Sequence, residues 1–207
     1  GRPTLLEFGS GAGNNAVFMK DAFAPTLVDL AADILVLSEA QNPDCEHAVG
    51  DMRTFRAGKT FDAVFIHDAI CYMASEDDLQ AAIENAFAHT RPGGVAAFAP
   101  DLFAEDFRES KDTYDVTDGE RSLFGMEWMW APRASASVFY VDYAFFLREG
   151  DTLHSVTERH VEGMFSRSTW HRLLGDAGFV VHEEKRPIEV EDPDTAPAAG
   201  GEADLLA

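Results

Sequence analysis

The feature that most constrains this chain is the stretch Leu5-Leu6-Glu7-Phe8-Gly9-Ser10-Gly11-Ala12-Gly13, an apolar strand that runs directly into glycines at alternate positions and then into a helical pattern. Glycines at such a junction let the backbone turn tightly and let a ligand approach the main chain closely. A dinucleotide-binding turn would read GxGxxG, because a pyrophosphate has to sit on the helix N-terminus. Here the last of those positions is Asn14, and the third glycine comes one residue early. Glu7, two residues before the first glycine, has no task beside a pyrophosphate but suits a ligand with a cationic amino-acid end. The spacing argues against a diphosphate bridge and for a ligand with a cationic amino-acid end.

Between Thr4 and Ala99 short apolar runs alternate with helix-period segments, the pattern of βαβ units and a parallel sheet. Strands are expected at residues 4–8, 26–29, 46–49, 63–67 and 95–99, with helices at 15–23, 31–41 and 76–90. The last helix has Leu79, Ile83 and Phe87 on one face, Ser75 as N-cap and acids in its first turn. Arg91-Pro92-Gly93-Gly94 should end it and turn into the fifth strand. After Pro100 the rhythm changes to three long strands, at 124–131, 137–149 and 152–165, with a hairpin signal at Gly150-Asp151. A helix at 168–177, stopped by Gly178, and a strand at 179–182 complete the pattern. The expected fold is α/β, a mostly parallel sheet with helices on both faces and an antiparallel β layer inserted before the last helix and strand. One domain should span residues 1–188, with the insertion at about 121–165, followed by an acidic Pro/Gly/Ala-rich tail at 189–207 that adds little to the core. Residue 1 is Gly, and the first strand follows almost at once, so a preceding N-terminal segment is expected.

Charge narrows the partners. The chain has 37 Asp and Glu against 16 Lys and Arg, a formal net charge of -21, with no cluster of cations. Phosphate backbones are bound by such clusters, so nucleic acid is not expected as a partner. No apolar run approaches the roughly 20 residues that span a bilayer, and no secretory leader is visible, so no membrane partner is expected either. Cys45 and Cys71 show no metal-ligand spacing and suit a reducing cytoplasm. His154 and His160 fall on one strand face, but no further ligands accompany them, and no metal is expected.

The Glu7 to Gly13 stretch resembles motif I of the class I S-adenosylmethionine (SAM)-dependent methyltransferases, which have a Rossmann-like fold. The resemblance implies that Gly9, Ser10, Gly11 and Gly13 wrap the methionine part of SAM, supported by Glu7. Further residues follow in the family's order. Asp29, in Leu27-Val28-Asp29-Leu30, matches the acid that takes the ribose hydroxyls, with Leu30 beside it; one carboxylate can accept from both hydroxyls. Asp51-Met52 matches the pair that flanks adenine, and Phe61–Ile66 and Arg91–Gly94 resemble the fourth strand and the turn before the fifth. SAM is thus the expected cofactor, and a methyltransferase of a small molecule the expected enzyme.

Methyl transfer asks the protein to place a nucleophile behind the methyl group and to exclude water. After the fourth strand come His67-Asp68-Ala69-Ile70-Cys71-Tyr72-Met73, without the D/N-P-P-aromatic element of enzymes that methylate base nitrogens. His67 and Asp68 are the candidates for proton acceptor or amine anchor, and His67 also for cofactor contact. Tyr72 is the candidate for a substrate hydroxyl contact or aromatic wall. The inserted β layer is similar to the lid of sugar N,N-dimethyltransferases and of glycine N-methyltransferase, which implies a lid over the substrate pocket and a homodimer. Trp128, Arg159 and His160 are the candidate substrate contacts on the lid strands. The acidity opposes a nucleotide-diphosphate substrate unless Arg53, Arg121, Arg133 or Arg159 forms a local cationic mouth. An amine nitrogen is the preferred acceptor. An O-methyltransferase, a non-catalytic SAM or S-adenosylhomocysteine sensor, and an NAD oxidoreductase remain the alternatives.

Overall fold

The apolar runs of the first hundred residues pair side by side as parallel strands. In the computed structural model, which describes residues 1–133, 137–185 and 203–206, they are β1 (Thr4–Phe8), β2 (Ala24–Asp29), β3 (Glu46–Val49), β4 (Phe61–His67) and β5 (Thr90–Ala99). Their order is β3-β2-β1-β4-β5, all parallel. Helices α1 (Asn14–Met19), α2 (Ala32–Gln41) and α3 (Glu76–His89) connect them. The direction of winding reverses on either side of β1, which opens a crevice at the carboxyl ends of β1 and β4, where ligands of open α/β sheets bind. Leu6, Phe8, Ile66 and Phe98 are fully buried in the sheet, and Leu79, Ala82, Ile83 and Ala86 bury the expected face of α3. Each large side chain so buried contributes roughly 1.5–3 kcal/mol relative to exposure. Ser75 caps α3 as expected, its Oγ accepting the Asp78 N–H at 3.1 Å.

A second sheet of β6 (Ser110–Asp118), β7 (Arg121–Trp130), β8 (Val138–Glu149) and β9 (Thr152–Gly163) is antiparallel throughout. It precedes α4 (Arg167–Ala177) and β10 (His182–Lys185), so the expected insertion is present. The inserted layer has one strand more than its sequence pattern indicates. β6 is charged and exposed along nearly its whole length, so it is held by backbone pairing to β7 and gives no apolar alternation to read.

Other differences have local causes. α1 stops at Met19 with Lys20 as its C-cap, and the chain enters β2 at Ala24, where the following Pro25 favours extended backbone. Residues 91–94 are absorbed into β5 through a register shift against β4, with Gly93 at φ 73°. The last strand starts at His182, because Gly178 (φ 111°) closes α4. There the Phe179 N–H donates to Leu174 O, and the Phe179 ring packs edge-on against Phe87 at 4.9 Å. Residues Ala203–Leu206, in the segment read as tail, form strand β11 between β5 and β10, antiparallel to both. The rest of that tail lies outside the described residues. No helix among the described residues is long and apolar enough to cross a membrane.

Candidate active site

At the carboxyl ends of β1 and β2 a cleft of about 370 Å³ is lined by Gly9, Asp29, Leu30, Met52, Arg53 and Tyr72, among others. Gly9 has φ 67°, and a Cβ there would overlap Ala69, so only glycine lets the β1 turn pass under the turn Asp68–Tyr72 that follows β4. Asp29 fixes the loop: its Oδ2 accepts the Gly11 N–H at 2.7 Å and its Oδ1 the Ala31 N–H at 2.9 Å. Each oxygen keeps a lone pair for a ligand hydroxyl. A Cβ on Gly11 would meet open space, whereas one on Gly13 would overlap Ser38 and Asn42 of the neighbouring helix. Gly13 therefore serves the packing of α1 on α2, where Asn42 Nδ2 donates to its carbonyl at 2.9 Å.

Glu7 is 1% exposed at the end of β1. Asn15 Nδ2 donates to its Oε1 at 3.0 Å, while Oε2 and the nearby buried Ser10 Oγ have no hydrogen-bond partner. Burial pushes the Glu7 carboxyl up to about 7, against the Asn15 bond and the His67 ring, which lower it. A buried acid with one oxygen unsatisfied, beside a loop with open space at Gly11, fits a ligand that brings an ammonium group and exposed polar edges. Met52 and Leu30 supply apolar wall. Asp51 lines the same cleft with its carboxylate clamped by Arg53, through the backbone N–H at 2.8 Å and the guanidinium at 2.6 Å.

The cleft opens at Tyr72 and Met73 onto the junction with the second sheet. Gly163 of β9 packs so closely on the Met73 carbonyl that a Cβ would overlap it. Tyr72 Oη and His160 Nδ1 are 2.7 Å apart, and His160 Nε2 lies 3.2 Å from Glu158 Oε1. A carboxylate only accepts, so Nε2 carries the ring proton and the neutral ring's Nδ1 accepts the Tyr72 hydroxyl. On the other side His67 Nδ1 meets Asp68 Oδ1 at 3.0 Å, and Asp68 hydrogen-bonds Asp101, just past β5. Asp68 has φ 26°, a strained conformation for a non-glycine residue. Although Asp101 is exposed as a residue, its carboxyl is pushed up by desolvation and then by the Asp68 and Glu162 charges. Asp68 moves the opposite way: desolvation raises it, but the bonds from His67 and Asp101 outweigh that. Between them this pair retains a proton on the Asp101 side.

The lid candidates separate. Trp128, Asp142 and Arg159 are in register across three strands and share one face, while Met129, Val141 and His160 share the other. His160 faces Tyr72, so Trp128 and Arg159 stand on the outer face. There Arg159 pairs with Asp142 at 2.6 Å and covers the Trp130 and Tyr140 rings, and Lys111 covers Trp128. The alternation thus places them on the sheet face opposite His160. Of the arginines that could form a local cationic mouth, Arg53 is bound to Asp51 and Asp78, Arg121 to Glu149, and Arg159 to Asp142. Sequence reasoning missed Asp101 and Glu162. Asp101 follows the fifth parallel strand directly, the position where such sheets carry ligand-binding groups, and Glu158, His160 and Glu162 share a face at the strand period of two.

Residues 5–94 match the family model described as a methyltransferase domain. Over these residues the chain is similar to methyltransferase domains. It is 35% identical over 189 residues to a dTDP-3-amino-3,6-dideoxy-alpha-D-glucopyranose N,N-dimethyltransferase of Streptomyces fradiae, an alignment that covers 89% of this chain and 63% of that protein. It is 31% identical over 115 residues to a dTDP-3-amino-3,4,6-trideoxy-alpha-D-glucopyranose N,N-dimethyltransferase of Streptomyces venezuelae, covering 55% of this chain and 48% of that one. The chain thus spans less than two thirds of either relative. Among solved structures, the chain superposes on Streptomyces venezuelae DesVI with a TM-score of 0.84 at 21% identity, covering 99% of this chain and 83% of that one. SAM-bound CalS10 of Micromonospora echinaspora, an amino pentose methyltransferase, gives 0.82 at 22% identity, with 99% and 82% covered.

Proposed function

We propose that this chain is a SAM-dependent N-methyltransferase acting on the amino group of a small amino sugar. The observation that carries the reading is that Tyr72 belongs to two places at once: it lines the cleft of the glycine loop and hydrogen-bonds His160 on the lid, so donor and acceptor sites share a wall. In this reading Glu7 and the Gly9–Gly11 turn hold the amino-acid end of SAM, Asp29 the ribose hydroxyls, and Leu30 and Met52 the adenine, with Asp51 at its edge. SAM supplies an electrophilic methyl group on a sulfonium. The chain's own residues orient the acceptor and exclude water, with His67 and Asp68 at the junction of the two sites. The relatives with dTDP-amino sugars in their names support the substrate class. The acidic junction, with Asp68, Asp101, Glu158 and Glu162, suits a cation and disfavours a neutral hydroxyl acceptor.

In the same reading the protein works in the cytoplasm as a homodimer. The outer lid face leaves Phe124, Met126, Trp128 and Phe146 open to solvent, an apolar patch that a second copy would cover.

The test is incubation with methyl-labelled SAM and dTDP-3-amino-3,6-dideoxy-alpha-D-glucopyranose, beside the free amino sugar and the 3-hydroxyl counterpart. Label on the amine of either amino sugar is expected. Label on the hydroxyl compound would turn the reading to O-methylation. Tight S-adenosylhomocysteine binding with no transfer to any acceptor would leave a sensor.

A further inference from the structure

Glu162 is the one large acid of the lid's inner face that is deeply buried, at 6% exposure. It sits near the end of β9, where the lid closes onto the turn Asp68–Tyr72. Its backbone pairs with Phe139 of β8, and its carboxylate makes no hydrogen bond among the described residues. The His160 ring lies 3.9 Å away, and the nitrogen it turns to Glu162, Nδ1, already accepts from Tyr72. Burial raises its pKa, and the Glu127 and Asp68 carboxylates add to the effect, against a lowering by His160. A buried carboxyl group without a donor costs stability unless something arrives to satisfy it.

What can arrive is set by its neighbours. Cys71 Sγ, an Asp101 carboxylate oxygen and a Glu162 carboxylate oxygen lie within 4.8 Å of one another. The Cys71 thiol accepts the Asp101 N–H at 3.3 Å, and burial holds it far above the usual thiol range, so it stays protonated and is a poor metal ligand. A tetrahedral ammonium that donates to two oxygens at about 2.8 Å needs them about 4.6 Å apart. The Asp101 and Glu162 oxygens, no more than 4.8 Å apart, are close enough for one ammonium nitrogen to bridge.

We propose that Glu162 and Asp101 form the acceptor's ammonium site, with Glu162 fixing the cation from the lid and Asp101 removing one of its protons before methyl transfer. The proposal rests on the N-methyltransferase reading above and deepens it. The proton step balances in two stages: the entering ammonium drives the pair's retained proton from Asp101 to water, and then the ammonium N–H bond breaks, its proton forms an O–H bond on the Asp101 carboxylate, and the electron pair stays on nitrogen as the lone pair that attacks. Asp101 then passes the proton to water through its exposed edge. The groups that face Asp101 are Asp68, with His67 behind it, and Cys71 from the turn after β4, and Glu162, with His160 beside it, from β9. Every carboxylate among them raises the Asp101 carboxyl and makes it a stronger base.

The test measures acceptor binding by calorimetry in the presence of S-adenosylhomocysteine, for the wild type, Glu162→Gln, Glu162→Leu and Asp101→Asn. The probes are dTDP-3-amino-3,6-dideoxy-alpha-D-glucopyranose, its 3-hydroxyl counterpart, cyclohexylamine and cyclohexanol. Both Glu162 variants are expected to weaken amine binding by about tenfold to a hundredfold, the loss of one charge-assisted hydrogen bond. Affinity for S-adenosylhomocysteine should stay within about twofold. Glu162→Leu should melt no lower than the wild type, because it replaces a buried unsatisfied acid with an apolar side chain, and this keeps the test independent of folding. Turnover of Asp101→Asn should fall at neutral pH and return above the pKa of the free amine, where no proton has to be removed; a merely structural residue would show the loss at every pH. Wild-type affinity for amines in both Glu162 variants, or equal binding of each amine and its hydroxyl counterpart, would overturn the ammonium site and leave methyl transfer standing. Ammonium-dependent binding of cyclohexylamine without binding of the amino sugar would instead remove the sugar reading and keep the site. If no amine binds a wild type that binds S-adenosylhomocysteine, both fall.

Discussion

Tyr72 and His160 are 88 residues apart in sequence and 2.7 Å apart in space, through Tyr72 Oη and His160 Nδ1. The bond joins the turn after β4 to the lid strand β9, with the Tyr143 ring packed edge-on against the same imidazole at 5.0 Å. Burial and the Glu162 and Glu158 charges push the Tyr72 hydroxyl up to about 12, so it remains a donor across the working pH range. Tyr72→Phe removes the donor and keeps the ring. A stability loss of about 1 kcal/mol is expected by chemical denaturation, with turnover falling more than S-adenosylhomocysteine affinity. Equal losses in both would mean that the hydroxyl serves the cofactor cleft and not the lid.

The glycines of one motif answer to different constraints. Gly11 has φ 52° and faces open space, so Gly11→Ala should fold with a penalty of about 1 kcal/mol and lose cofactor affinity, because the added methyl group enters the ligand's volume. Gly13 has φ 78° and is pressed against Ser38 and Asn42, so Gly13→Ala should cost stability first, about 2 kcal/mol or more, read as a lowered melting temperature. The reverse ranking would mean that the motif's third glycine, not its second, meets the ligand.

Asp29→Ala should weaken S-adenosylhomocysteine binding by about 1–3 kcal/mol, measured by calorimetry. Part of that loss is indirect, because the carboxylate also holds the Gly11 and Ala31 N–H groups. Asp29→Asn keeps one acceptor oxygen and should lose less. An unchanged affinity in both variants would remove Asp29 from the ribose.

Most of the fold was legible from the chain because each parallel strand is a buried apolar run next to a glycine, proline or cap signal; β1 and β3 fall at their expected bounds for that reason. The cofactor end was legible too, since the glycine loop, Asp29 and Met52 lie close to one another in sequence and line one cleft. The acceptor end was not. It is assembled from the end of β5, the turn after β4 and the inner face of β9, and pairing between those elements depends on a lid register that no local pattern encodes. Glu162 reads in sequence as one more acid in a polar strand; its strand phase distinguishes it from Arg159, and only its burial near the end of β9 from Glu158. β6 escaped for the related reason that its backbone pairs while its side chains stay exposed.

Strand phase makes a direct prediction. Arg159 and Trp128 face away from His160, so Arg159→Ala and Trp128→Ala should leave acceptor affinity within about twofold of the wild type. Their effect should fall instead on the outer sheet face, where Arg159 bonds Asp142 and stacks over Tyr140 at 4.9 Å. Sedimentation of the two variants should report a weaker self-association if that face joins two copies. A loss of acceptor affinity in Arg159→Ala would show that the substrate wraps around the lid edge.

Glu7 ties stability to pH and to the cofactor. Its pKa is about 7 in the folded chain, raised from 4.5 chiefly by burial. Between those values the unfolded chain has released a proton that the folded chain keeps, so stability falls as pH rises through this window and the full penalty is reached above the folded pKa. The shift corresponds to about 3 kcal/mol at most, which makes Glu7→Gln more stable than the wild type at about pH 8 and not at about pH 4. Ligand binding should reverse the balance, because an ammonium group beside Oε2 favours the ionised carboxylate. S-Adenosylhomocysteine should therefore raise the melting temperature of the wild type more than that of Glu7→Gln, and its binding to the wild type should release protons to the buffer near neutral pH. A melting curve with the same pH slope in both proteins, or binding without proton release, would place the ligand's amino group elsewhere.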